Sequence, residues 1–210
     1  MRSVVIRFLL SLTLLTLSPA LFAHDITITG TQNFSALDGS SSDHDGLANG
    51  VFTVSDGNLT VNGTVNCNDV SSTNACAMAF AVSGNMTVNS GGALYAENRS
   101  GDGNGGAITL TVGGNLALNG TAIVSAASTT SGTSDGGSIT ANVGGGVTLA
   151  SGTTLDVGAP NGQAGAITVA AGGLVTANGN VYSGASRTLL ATKLTGAALS
   201  GGNGNQSGGS

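Results

Sequence analysis

The chain is poor in most of what marks a common soluble fold. Only 7% of its 210 residues are charged and 3% are aromatic; tryptophan is absent, and there are two cysteines and two prolines. The five basic residues are Arg2, Arg7, Arg99, Arg187 and Lys193, against ten acids. A nucleic-acid surface needs clustered lysine and arginine, so that partner is excluded. A coiled coil or long helix needs Ala, Glu, Lys, Leu and Arg in bulk, which is missing. Ordinary disorder combines low hydropathy with high charge, whereas 40% of this chain is apolar and its mean hydropathy is +0.28. Collagen places glycine at every third position, and the 36 glycines here do not fall that way. What is left is a β-rich, acidic, small-residue, repetitive chain whose length suits one domain or one and a half.

Residues 1–23 read as a secretory signal peptide. Arg2 and Arg7 form the positive end, Phe8–Leu17 is the apolar run, and Ala20-Leu21-Phe22-Ala23 offers a small residue at the cut. The apolar stretch is too short to span a bilayer of about 30 Å as a helix, and no other run is long enough, so no transmembrane segment is expected in the mature chain. Once residues 1–23 are removed, Arg99, Arg187 and Lys193 face ten acids, a net charge of −7. In an oxidising compartment Cys67 and Cys76, the only cysteines, would pair and staple the polar loop between them.

Self-similarity organises the rest. Four segments align, Met78–Val88, Ile108–Leu118, Ile139–Leu149 and Ile167–Ala177, with starts spaced 30, 31 and 28 residues apart. An irregular earlier copy is Phe52–Val61. Inside a copy the period is two. Ile108, Leu110 and Val112 alternate with Thr109 and Thr111; Leu116 and Leu118 flank Ala117; Val124 and Ala126 alternate with Ile123 and Ser125. Strict alternation over a few residues is a strand with one buried face. Gly-Gly and Asn-Gly between the strands read as corners, because both accept positive φ cheaply.

Strands of three to five residues cannot bury an apolar face alone, but stacked copies can. Phe80, Leu110, Ala141 and Val169 would then form one inner column, Val88, Leu118, Leu149 and Ala177 a second, and Leu94, Val124 and Leu155 a third. The pattern predicts an all-β, parallel β-helix or solenoid with three short strands per rung, roughly five rungs and 28–31 residues per rung. Stacking also accounts for the missing charge. Like charges 4 Å apart repel by about 1 kcal/mol in bulk water and about 4 kcal/mol at an effective dielectric constant of 20, and a parallel stack repeats each side chain about every 4.8 Å. The expected organisation is a signal peptide at 1–23, an N-terminal cap region at 24–50 with Phe34 as its plug, repeats at 51–187, and a C-terminal strand and flexible Gly/Ser/Asn tail at 188–210. The surplus of each copy falls at one corner, in Cys67–Ala77, Asn98–Gly106, Ser128–Gly137 and Gly158–Gly165, where repeat proteins often place a binding edge.

The copies Gly105–Leu118 (GGAITLTVGGNLAL) and Gly136–Val157 (GGSITANVGGGVTLASGTTLDV) resemble the filamentous-haemagglutinin-like repeats of bacterial exoproteins and autotransporter passengers, over roughly residues 52–183. The resemblance implies a right-handed β-helix at a Gram-negative cell surface, an adhesive role, host-cell or matrix glycan or protein as partner, and an outer-membrane exporter. A periplasmic location is the alternative, because the chain lacks the Asn-Pro motifs of two-partner-secreted exoproteins; its prolines are Pro19 and Pro160.

Candidate chemistry is sparse, and no catalytic set or cofactor site is expected. Asp38, Asp43 and Asp45, with His44 among them, are candidate Ca²⁺ ligands, against the plainer reading of a solvated Asp/Ser/Gly loop. A polysaccharide lyase is the enzymatic alternative, but Arg99, Arg187 and Lys193 are scattered and an acidic surface repels polyuronates. An ice- or surface-binding solenoid is the second alternative, on an outward column of Thr60, Thr87, Thr148 and Thr176 interrupted by Ala117; threonine is also simply a good outward strand residue.

Overall fold

The computed structural model describes residues 24–37, 45–67, 74–99, 102–129, 132–182, 192–195 and 198–201. Residues 1–23, where a signal peptide is expected, Asp38, Asp43, Arg187 and the residues beyond Gly201 lie outside the described residues.

The chain forms a parallel β-solenoid. It opens with β1 (Ile26–Ile28) and β2 (Thr31–Asn33), a 3-10 turn at Phe34–Ala36, and β3 (Gly46–Ala48). Successive rungs follow as β4 (Val51–Val54), β5 (Leu59–Val61) and β6 (Thr64–Asn66); β7 (Met78–Val82), β8 (Met86–Val88) and β9 (Ala93–Tyr95); β10 (Ala107–Val112), β11 (Leu116–Leu118) and β12 (Ile123–Ser125); β13 (Ser138–Val143), β14 (Val147–Leu149) and β15 (Thr154–Asp156); and β16 (Ala166–Ala171), β17 (Leu174–Ala177) and β18 (Asn180–Tyr182). β19 (Thr192–Thr195) and β20 (Ala198–Gly201) continue two of the sheets. The first strands of the rungs make sheet one (β3-β4-β7-β10-β13-β16-β19). The second strands make sheet two (β1-β5-β8-β11-β14-β17-β20), and the third strands make sheet three (β2-β6-β9-β12-β15-β18).

The register is the one the repeat predicts. Leu110 pairs with Phe80 and Ala141, and Ala141 with Val169. Leu118 lies between Val88 and Leu149, and Val124 between Leu94 and Leu155. These side chains belong to one continuous core in which Leu118 and Val124 are fully buried. Burying a leucine or valine of this kind stabilises by about 1.5–3 kcal/mol, and the bore repeats that gain on every rung.

The stack starts before residue 51. β1 and β2 already pair in parallel with β5 and β6, so the N-terminal stretch contributes two strands of a rung. The place of that rung's sheet-one strand is taken by β3, which runs antiparallel to β4 through the turn at Asn49-Gly50, both at positive φ. A reversed strand at the end of a sheet covers the edge that would otherwise invite pairing. Phe34 closes the bore itself. It is buried and meets Phe80 edge-to-face with centroids 5.4 Å apart, while Phe52, on the rung between, meets Phe80 at 5.9 Å. Apolar rings in this geometry attract beyond their buried area.

Two local expectations are corrected. The Gly-Gly corners between sheets one and two, at 113–114, 144–145 and 172–173, do not use positive φ; among the described glycines that conformation occurs at Gly30, Gly46, Gly50, Gly91, Gly120 and Gly152. Gly113, Gly144 and Gly172 stack on one another, and a Cβ on any of them would strike the carbonyl oxygen of the residue one rung below, at Ser83, Gly113 and Gly144. Glycine is required there by close backbone approach rather than by torsion. Ser125, read as an outward strand residue, is buried together with Asp156 in the next rung; its hydroxyl donates to Glu97, and the ends of the corner loops bond back to Ala96 and Ala126 beside it.

Candidate functional site

The three corners are built differently. Between sheets one and two each rung turns in a few residues, and Asn58, Asn85 and Asn115 occupy equivalent places. Asn85 donates from its backbone and side-chain nitrogens to Asn58 Oδ1, 2.7 and 3.1 Å. Asn115 does the same to Asn85 Oδ1, 2.8 and 3.3 Å, and Gly146 N–H closes the series on Asn115 Oδ1 at 2.7 Å. At the base stands Asp25, which accepts two bonds from Asn58 at 2.9 Å. The first member needs only to accept, so a carboxylate serves there, whereas interior members must both donate and accept, which asparagine does. A second ladder, Asn62–Asn89–Asn119, lines the corner between sheets two and three. The aligned Gly-Asn steps at 57–58, 84–85 and 114–115 were the sequence signal for the first ladder.

The third corner, between sheets three and one, carries the long loops, and their described parts are bonded to one another. Ala75 N–H donates to Asn104 O, Gly105 N–H to Asp135 O and Gly136 N–H to Gln163 O. In parallel, Asn104 N–H donates to Asn74 Oδ1, Asp135 N–H to Asn104 Oδ1 and Gln163 N–H to Asp135 Oδ1, at 2.7–2.8 Å. Asn98 and Ser128 form a parallel bridge. The Cys67–Cys76 disulfide, Cα atoms 5.4 Å apart, closes the first of these loops. The result is a continuous polar edge running along the solenoid.

On that edge the rung of β9 departs from its neighbours. Arg99 donates from Nε to Glu97 Oε2 at 2.7 Å, and its guanidinium lies 4.8 Å over the Tyr95 ring. Glu97 is held from the other side by the buried Ser125 hydroxyl. Arg99 keeps 46% of its side chain exposed, while Glu97 keeps 10%. Burial and the Glu97 carboxylate push the Tyr95 hydroxyl above its ordinary pKa, and Arg99 offsets part of this. Arg99 is the only Lys or Arg whose side chain is described; on the next rung its place, opposite the bridged residue, falls to Thr129. Spacing could not reveal this cluster, because it is where the repeat is broken.

The other sequence-derived candidates fall elsewhere. Asp45 is fully buried at the N-terminal end, with Oδ1 accepting from Ser55 N–H at 2.6 Å and Ser55 Oγ at 2.7 Å, and Oδ2 lying 3.4 Å from His24 Nδ1. Burial raises its pKa, but the Ser55 backbone and hydroxyl donors and the His24 imidazole outweigh burial, so the carboxyl lies below its ordinary value. Ser55, Asp45 and His24 thus meet with the acid in the middle. Nucleophilic catalysis needs the imidazole between hydroxyl and carboxylate, as the base that takes the hydroxyl proton. Among the described residues no group of three or more His, Cys, Asp or Glu could hold a metal ion, and no helix is long and apolar enough to cross a membrane. The outward threonine column of sheet two is in register from Thr27 through Thr60, Thr87, Ala117 and Thr148 to Thr176.

No protein-family model, curated protein or solved structure matches the chain.

Proposed function

We propose that this protein is an exported, non-catalytic adhesive module at a Gram-negative cell surface, akin to filamentous-haemagglutinin repeats and autotransporter passengers, which contacts glycan or protein through its long-loop corner. The observation that carries the reading is the bonding of those loops into one edge. The ladder satisfies the loops' own backbone groups, and it also holds the edge in one conformation, from which a binding surface gains before it meets its partner. The Tyr95–Glu97–Arg99 cluster adds an oriented guanidinium and an aromatic ring to that edge, the side chains most enriched where partners bind. The leader-like residues 1–23 and the paired cysteines favour export, with the periplasm as the alternative compartment.

The test is binding of the full mature chain to cultured cells and to a glycan array. Arg99→Ala and Cys67→Ser should each weaken binding several-fold, and Thr148→Tyr, on sheet two, should leave it unchanged. Binding insensitive to both loop-edge variants, or lost with Thr148→Tyr, removes the loop edge as the contact. A lyase would instead release unsaturated sugar visible by ultraviolet absorbance. An ice binder would show thermal hysteresis abolished by Thr148→Tyr.

A further inference from the structure

Two buried side-chain oxygens among the described residues lack a hydrogen bond, Asp56 Oδ1 and Asp45 Oδ2, and of these Asp45 Oδ2 already faces the His24 imidazole, 3.4 Å from Nδ1. Both belong to the small region that receives residue 24. The Asp45 side chain is completely buried, and Ser55 occupies its other oxygen. The backbone N–H of His24 donates to the Asp56 carbonyl at 3.2 Å. The next residue, Gly57, packs so closely that a Cβ there would strike the His24 carbonyl oxygen. His24 is therefore clamped on the turn 55–57 with two acids around it. A buried acceptor left without a donor costs about 1–3 kcal/mol, and more when it is charged. The His24 amide has one hydrogen, already given to Asp56 O, so a peptide bond at this nitrogen has nothing more to offer. An ammonium group on the same atom has three hydrogens and a positive charge.

We propose that the peptide bond between Ala23 and His24 is the processing site, and that the α-ammonium group it creates is built into the fold as the partner of Asp56, beside the His24–Asp45 pair. Water adds across the amide; Ala23 leaves as a carboxylate and His24 keeps the nitrogen, which takes up a proton at neutral pH. Leader removal then does more than release the chain: it supplies the cation that fastens the first rung. The charged and titratable groups at this end are Asp56, which receives the His24 amide, Asp45, which faces the His24 imidazole, and the exposed Asp25 next in the chain. The cut itself rests on the export reading above, but the ion pair can be tested without it.

Two full-length mature chains are compared, one beginning at His24 and one in which Ala23 is retained and acetylated. At pH 6.5 the His24-first chain should melt about 2–4 °C higher or more, the shift expected of roughly 1 kcal/mol in a chain of this size. An acid partner raises the ammonium pKa above its ordinary value of about 7.7–8.0, so the advantage is complete below that range and disappears as pH rises through the raised value. Asp56→Asn should lower the melting temperature of the His24-first chain more than that of the acetylated chain, which isolates the pair from any general effect of the substitution. Equal melting of the two chains at pH 6.5, or equal loss from Asp56→Asn in both, overturns the proposal. So does an exported chain whose mass shows a first residue other than His24. A chain retained in the cell with Met1 intact would instead defeat the export reading, and the comparison of the two purified chains would still decide the ion pair.

Discussion

The short corners and the long corner solve the same stacking problem in opposite ways. At the short corners identity does the work: glycine over glycine and asparagine over asparagine, each rung presenting what the next can receive. At the long corner the loops differ in length and sequence, yet they are joined by a mixed ladder of Asn74, Asn104, Asp135 and Gln163. The described disulfide and the Glu97–Arg99 pair are found there too. The difference teaches that strict repetition is needed only where backbones touch. Where the chain steps outward, any side chain that accepts a hydrogen bond from the loop above will serve, and variety becomes affordable.

Substitutions that separate these layers should differ in size. The largest effect belongs to the bore, which both kinds of corner rely on. Phe80→Ala removes the ring that packs against both Phe34 and Phe52 and should cost about 3–5 kcal/mol in denaturant unfolding. A cost under about 1 kcal/mol would mean that the corners, not the bore, hold the rungs together. Next is Asn115→Ala, which deprives Gly146 N–H of its acceptor and Asn85 Oδ1 of the weaker of its two donors, the backbone N–H of residue 115 remaining. Its cost should be about 0.5–1.5 kcal/mol, limited because the site is exposed. The equivalent loop change, Asn104→Ala, should speed exchange of the Asp135 amide while leaving global stability nearly unchanged. Equal global costs for the two would erase the distinction between corner and edge.

The smallest effect is a pH dependence at the N-terminal end. The Asp45 carboxyl is held below its ordinary value in the folded chain. Its stabilisation is therefore present above the unfolded value of about 3.9 and is lost as pH falls through the lower folded value. Acid titration of the melting temperature should show that loss, and Asp45→Asn should flatten it.

Much of the architecture was legible in the residues because a parallel stack translates sequence period directly into spatial register. The columns through Leu110, Leu118 and Val124, the Phe34 plug and the Cys67–Cys76 bridge could all be read from spacing and chemistry. The readings that failed depended on distance between backbones or on what covers a side chain. Gly113 and Gly144 looked like torsional glycines, but the carbonyl one rung below is what excludes a Cβ. Ser125 alternates as an outward residue should, but it is buried and its hydroxyl bonds to Glu97 from the rung before. Glu97 and Arg99 interrupt the repeat, so a method that looks for recurrence passes over them. The meeting of His24 with Asp45 joins residues on either side of a stretch with no periodicity at all.

By itself the sequence determined that apolar side chains recur every second residue within strands and every 28–31 residues along the chain, and burial of that pattern admits few arrangements besides a stack. Only the tertiary structure decided which carbonyl approaches which glycine, which hydroxyl is buried, and that the loops form one edge. Those outcomes depend on how closely segments some thirty residues apart approach one another, and the order of residues along a chain does not display such distances until the chain has folded.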